Sequence, residues 1–124
     1  MKIDYRNFYT LWGEALESTD RERYISEWTT SEIFYSNPEQ PGPDMLEVAD
    51  TLDNIWITAH MEFVEFRQQA GLTQVDFAKL LCVPRRTLEN WESRNRGSCP
   101  SYFQLMIAKM LDILKVEIEY PSKR

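Results

Sequence analysis

Residues 67–114 read RQQAGLTQVDFAKLLCVPRRTLENWESRNRGSCPSYFQLMIAKMLDIL, and the rest of the chain is best read outward from them. Thr73 stands just before a helical period, where an N-cap belongs. Phe77, Ala78 and Leu81 give that helix an apolar inner face, and the small Ala78 lets a crossing helix approach closely. A three-residue turn, Cys82 to Pro84, leads to a second helix that Pro84 is suited to begin, over about 85–93. Leu88 and Trp91, three apart, anchor this helix inward. Arg85, Arg86, Glu89 and Asn90 are left facing outward, with Thr87 at the edge. Arginine pairs well with guanine and asparagine with adenine in the major groove. The positive end of the helix dipole adds attraction for phosphate.

With those residues in place, the segment resembles the helix-turn-helix domain of the Xre/Cro/phage-repressor family. The matching features are an Arg before AGLTQ, "FAKLL-V" in the second helix, "RTLENWE" in the third, and a downstream Pro before an apolar helix. They run over roughly residues 61–114 in a fixed register. The resemblance implies a bundle of about five helices with the 85–93 helix as the reading element. It also implies roles. Arg85, Arg86, Thr87, Glu89 and Asn90 fall at base-contact positions. Thr73 and Gln74, with Arg94 and Arg96 in the following loop, fall at phosphate-contact positions. Arg67 and Glu92 resemble an internal ion pair, and the family default is a homodimer over two half-sites. The sequence departs from the family pattern in three places. Cys82 stands where glycine is usual, Pro84 stands where a Ser/Thr cap is usual, and the loop 94–100 is about one residue longer.

Upstream, Tyr5, Phe8, Tyr9, Trp12 and Leu16 recur at helical spacing, and Asp20 could cap a second helix carrying Tyr24, Ile25 and Trp28. Residues 37–44 read NPEQPGPD, too rich in proline and glycine for a helix or central strand, and make the best linker. Met45, Leu46, Ala49, Leu52, Ile55, Trp56 and Ala59 then follow helical spacing. The pattern continues through Phe63, Val64 and Arg67, as one long helix or two with a break near residues 58–60. At the C-terminal end Val116, Ile118 and Tyr120 alternate with charges, as in a strand. The expected fold is all-α: a helix-turn-helix bundle with an N-terminal helical extension and a short C-terminal strand. The division places a helical region and linker at 1–43 and the DNA-binding domain, with its lead-in helix, at 44–124.

The chain has 124 residues and a formal net charge of −6, which at face value opposes nucleic acid. The total averages two regions. Residues 1–66 carry Lys2, Arg6, Arg21 and Arg23 against fourteen acids, a charge of −10, while residues 67–124 sum to +4. The basic part holds the helix-turn-helix. The acidic part reads as a surface held away from DNA, toward a protein partner or a second subunit. No apolar run approaches a membrane span, and residues 1–10 lack a signal-peptide core, so a cytoplasmic chain with reduced thiols is expected.

Rival chemistries fare poorly. His60 and Glu62 form the H-x-E of zinc deaminases, but P-C-x-x-C is missing, and Cys82 and Cys99 lie 17 apart. Pairs such as Glu14/Glu17 and Glu62/Glu65 suit solvated helix faces better than acid–base catalysis. No metal, cofactor or enzymatic activity is expected. The function expected is a sequence-specific double-stranded DNA-binding regulator, a repressor occupying a promoter. The alternative is an antitoxin-type module that binds a partner protein and autoregulates its operon. The dimer interface is expected either at the strand 116–120 or at the aromatics of the first helices.

Overall fold

The order of elements follows the caps. The computed structural model describes residues 1–35, 39, 41–93 and 99–121. Along them run β1 (Lys2–Asp4), α1 (Tyr5–Glu17), α2 (Arg21–Trp28), α3 (Glu32–Tyr35), α4 (Met45–Ala59), α5 (Phe63–Ala70), α6 (Gln74–Leu81), α7 (Arg85–Ser93), α8 (Ser101–Met110) and β2 (Glu117–Glu119). Asp4, Asp20, Asp44 and Thr73 each accept a hydrogen bond from a first-turn amide and so start α1, α2, α4 and α6. The elements form two compact units, Met1–His60 with Leu114–Arg124, and Met61–Ile113.

In the first unit α1 buries Phe8, Leu11, Trp12 and Ala15, one face at spacings of three and four. Phe8 stacks on Trp12 with ring centroids 6.1 Å apart. Tyr24 on α2 is buried, and its hydroxyl donates to the Leu11 carbonyl at 2.8 Å, so the phenol costs little to bury. That burial raises the Tyr24 pKa well above its ordinary value. Helix α4 packs against both α1 and α2 through Val48, Leu52 and Ile55. Thr51 and Thr58 are also buried on it, their hydroxyls turned back onto the carbonyls of Glu47 and Asn54 at 2.8 and 2.7 Å. Arg21 and Asp53 tie α2 to α4 by an ion pair. Trp56 Nε1 donates to Ser18 Oγ at 3.2 Å, and His60 Nε2 donates to the Ala15 carbonyl at 2.7 Å while its ring stacks on Trp56.

Of the two readings after residue 45, the structure has the break: α4 ends at its C-cap His60. Other features differ from the expectation. Helix α4 packs in the first unit. The compact units part between His60 and Met61. The strand near residue 118 has an internal partner: β2 pairs in parallel with β1, Ile3 opposite Ile118. Helix α8 stops at Met110 rather than continuing to Leu114. Asp112 takes φ 54° and the Ile113 amide returns to the Ala108 carbonyl at 3.0 Å, a left-handed cap that ends the helix. After Trp28 the Thr29 hydroxyl turns onto the Ile25 carbonyl, and a separate short helix follows at Glu32.

Among the described residues the second unit holds four helices, α5 to α8. Its core is Phe63, Phe66, Phe77, Ala78, Leu88, Ile107 and Ala108. Phe63 is the hub, with ring centroids 5.8 Å from Phe77 and 5.2 Å from Trp91, the latter edge-on; Trp91 in turn lies 5.4 Å from Phe103. One aromatic chain thus links α5, α6, α7 and α8.

Candidate nucleic-acid interface

Two left-handed residues set the path of the second unit. Gly71 caps α5 at φ 68°, where any side chain would be strained, and delivers the chain to Thr73. Cys82 caps α6 at φ 56° and ψ 39°, the conformation that the family's usual glycine adopts freely. Its amide bonds the Lys79 carbonyl at 3.2 Å and the Val83 amide bonds the Ala78 carbonyl at 3.1 Å. The turn closes despite the Cβ.

Helix α7 then begins after Pro84, whose carbonyl accepts from the Leu88 amide at 3.2 Å. Proline offers no side-chain acceptor, so Pro84 itself cannot cap the first-turn amides. Leu88 is fully buried and Trp91 half-buried, which fixes the helix's rotation. Arg85, Arg86 and Glu89 are exposed, and Thr87 and Asn90 are half-buried at the edge of the same surface. Arg85 Nε bonds Glu89 Oε1 at 3.0 Å, one turn on. A spacing of four sets the two side chains one turn apart on the helix. The pair draws the arginine along the helix surface by Nε.

Thr73 is exposed and its Oγ1 accepts from the Asp76 amide at 3.2 Å, so the hydroxyl is engaged as a cap. Gln74 is half-buried, and its Nε2 donates to Glu92 Oε1 at 3.3 Å. Nothing in the residue types marks that inward bond. Arg94 and Arg96, and most of the loop 94–100, lie outside the described residues.

Behind the surface, Arg67 and Glu92 form a forked ion pair. Arg67 Nε lies 2.9 Å from Oε2 and Nη2 lies 2.9 Å from Oε1, while Nη1 donates to the Leu72 carbonyl at 3.2 Å. The carboxylate holds the guanidinium pKa above its ordinary value. The pair ties α5 to the last turn of α7 and, through Leu72 and Gln74, to the start of α6.

Other chemistry is sparse. Among the described residues no three His, Cys, Asp or Glu side chains gather as a metal site. Both cysteines are free thiols; Cys82 is exposed, while Cys99 is buried and its pKa is pushed up to about 12 by desolvation, the wrong direction for a nucleophile. Among the described residues no helix is long and apolar enough to cross a membrane.

Residues 64–120 match the family model described as Helix-turn-helix. The chain therefore carries a helix-turn-helix domain of the Xre/Cro type, spanning α5 to α8 and running on through β2. No curated protein and no solved structure matches the chain. The domain makes it a DNA-binding transcription regulator.

Proposed function

We propose that the chain is a sequence-specific repressor that lays α7 in the major groove of duplex DNA and occupies a promoter. One observation carries the reading: α7 buries Leu88 while leaving Arg85 and Arg86 exposed and Asn90 half-exposed beside them. Arg85, held by Glu89, offers its terminal amino groups to a guanine edge, and Asn90 suits an adenine. Arg86, Thr87 and Glu89 complete the base-facing set. The α6 start at Thr73 and Gln74, and Arg94 and Arg96, serve the phosphates. The protein acts in the cytoplasm as a homodimer over two half-sites, needing no cofactor and performing no catalysis. The experiment is selection from a random-sequence duplex pool at low salt. A symmetric enriched site supports the reading; folded protein that enriches nothing ends it.

A second reading has its own support. A groove between α1 and α2 is lined by Glu14, Glu17, Asp20 and Glu27 over Tyr24 and Trp28, and Arg23 is already paired with Glu27. Such a surface suits a basic protein partner, as an autoregulating antitoxin would need. Co-purification of the neighbouring gene's product, and its loss on Glu14→Lys with Glu17→Lys, would favour that reading; a neighbour that never co-purifies removes it.

A further inference from the structure

Among the described residues strand β1 is paired on one edge only, with Lys2 opposite Glu117 and the Glu117 amide bonded to the Met1 carbonyl at 3.0 Å. Backbone groups alternate in direction along a strand. Met1 and Ile3 therefore address β2, and Lys2 turns its amide and carbonyl to the other edge. A groove of about 330 Å³ runs along that edge. It touches every residue from Met1 to Asp4 and none of β2. Neighbouring side chains of a strand point to opposite faces, so a hollow that meets them all in a row lies beside the strand, not on one face of it. The far wall is apolar: Ile33 and Phe34 of α3, then Pro41 and Pro43. Gly42 packs so closely on Tyr35 that a Cβ there would overlap the ring, which sets residues 41–43 beside α3. Asn7 adds a half-buried side-chain amide, donor and acceptor at once.

We propose that this groove binds an extended segment of a partner protein, apolar at its centre and basic at its ends, which joins β1 as a third strand. An unpaired strand edge presents a row of backbone donors and acceptors, and an extended backbone is what matches them. The Lys2 carbonyl and the Asp4 amide, on either side of Ile3, are spaced to bond one residue of the incoming strand. The Asn7 amide can pair with a further peptide group. Ile33, Phe34 and the two prolines give the segment's alternate side chains an apolar surface to cover. The added strand continues the β1–β2 pairing, and a two-stranded sheet gains stability from a third. Charge selects the ends. Lys2 and Asp4 cancel within the groove, while the sequence of the first unit sums to −7. A segment flanked by Lys or Arg is thus drawn in, and one flanked by Asp or Glu is repelled. Neither DNA nor the acidic groove between α1 and α2 takes part.

Titration of the full chain with the peptide acetyl-Lys-Thr-Val-Ile-Val-Lys-amide, followed by amide NMR, is the test. The Lys2 and Asp4 amide signals are expected to shift and saturate below about 1 mM peptide, and their hydrogen exchange to slow. Methylating the peptide's backbone nitrogens removes its donors and should weaken binding about tenfold or more. Replacing both of its lysines with glutamate should weaken binding as well, and added salt should narrow that difference. Phe34→Ala should lower affinity with an unchanged melting temperature; if it disturbs folding, the methylated peptide carries the test on the unaltered protein. Lys2 and Asp4 signals that stay still at the highest concentration, a methylated peptide that binds as tightly as its parent, a glutamate-flanked peptide that does so, or shifts confined to Glu14, Glu17 and Glu27 overturns the inference.

Discussion

The guanidinium of Arg67 grips the carboxylate of Glu92 side-on, with Nε and Nη2 each 2.9 Å from a different oxygen. The two residues are 25 apart in sequence, and the Glu92 side chain is only 6% exposed against 22% for Arg67. Breaking such a pair strands a buried carboxylate, because its partner's charge is what offsets its lost hydration. Arg67→Met is therefore expected to destabilise the second unit by roughly 3–5 kcal/mol. Urea unfolding followed by circular dichroism measures it, and a loss below about 1 kcal/mol would place the pair with ordinary surface ion pairs.

Cys82 adopts φ 56° although it has a Cβ. A left-handed non-glycine residue costs roughly 1–2 kcal/mol, and glycine gives part of that back as unfolded-state entropy. Cys82→Gly is expected to stabilise the protein by about 0.5–1 kcal/mol, and Cys82→Val to destabilise it further, since branching at Cβ is worse there. Thermal melts of the two variants beside wild type decide; a glycine variant that melts lower shows that the turn is unstrained.

The two thiols should behave differently. Cys82 is exposed and Cys99 buried, so a thiol reagent should titrate one group quickly and the second only on unfolding. The sign with pH follows from the Cys99 pKa, raised from 9.0 to about 12. Above pH 9 the unfolded chain has lost that proton and the native chain has kept it. Stability from this group is thus full below about pH 9 and falls as pH rises toward 12, by at most about 1.4 kcal/mol per pH unit. Chemical denaturation at pH 8 and pH 10 measures it, and Cys99→Ala should remove the slope. A slope that survives the substitution points to another group, Tyr24 first.

On DNA, base-facing and phosphate-facing residues should fail in different ways. Arg85→Ala or Asn90→Ala is expected to lose about 1–3 kcal/mol at one base pair, relaxing the selected site there while the circular dichroism spectrum is unchanged. Arg94→Ala should weaken all duplexes alike and lower the salt slope by about one. Binding titrations at several salt concentrations separate the two patterns, and loss of discrimination in Arg94→Ala would reverse the assignment.

The pairing of Ile3 with Ile118 makes the two ends of the chain one element, with the Glu117 amide bonded to the Met1 carbonyl at 3.0 Å. Ending the chain after Lys115 should weaken the first unit and leave α5 to α8 intact. Hydrogen exchange should then speed up in β1, which loses its strand partner, while Leu88 and Phe77 amides stay protected. Unchanged protection in residues 2–4 would show that β1 holds without β2.

The sequence alone determined the helix-turn-helix. Caps, helical spacing and turn chemistry are local, and in residues 67–114 they agree, so α6 and α7 could be bounded as Gln74–Leu81 and Arg85–Ser93 from residue types. It also put Arg86 and Asn90 on the face opposite Leu88, because helical periodicity fixes angle as well as position. Only the tertiary structure decided what depends on partners distant in the chain. Alternation at Val116, Ile118 and Tyr120 proposes a strand, but nothing in it names residues 2–4 as the other edge. Spacing fits α4 equally well to either unit, and its packing on α1 and α2 through Val48, Leu52 and Ile55 settles the matter. Gln74 carries no mark of its bond to Glu92, since a glutamine at a helix start can face either way.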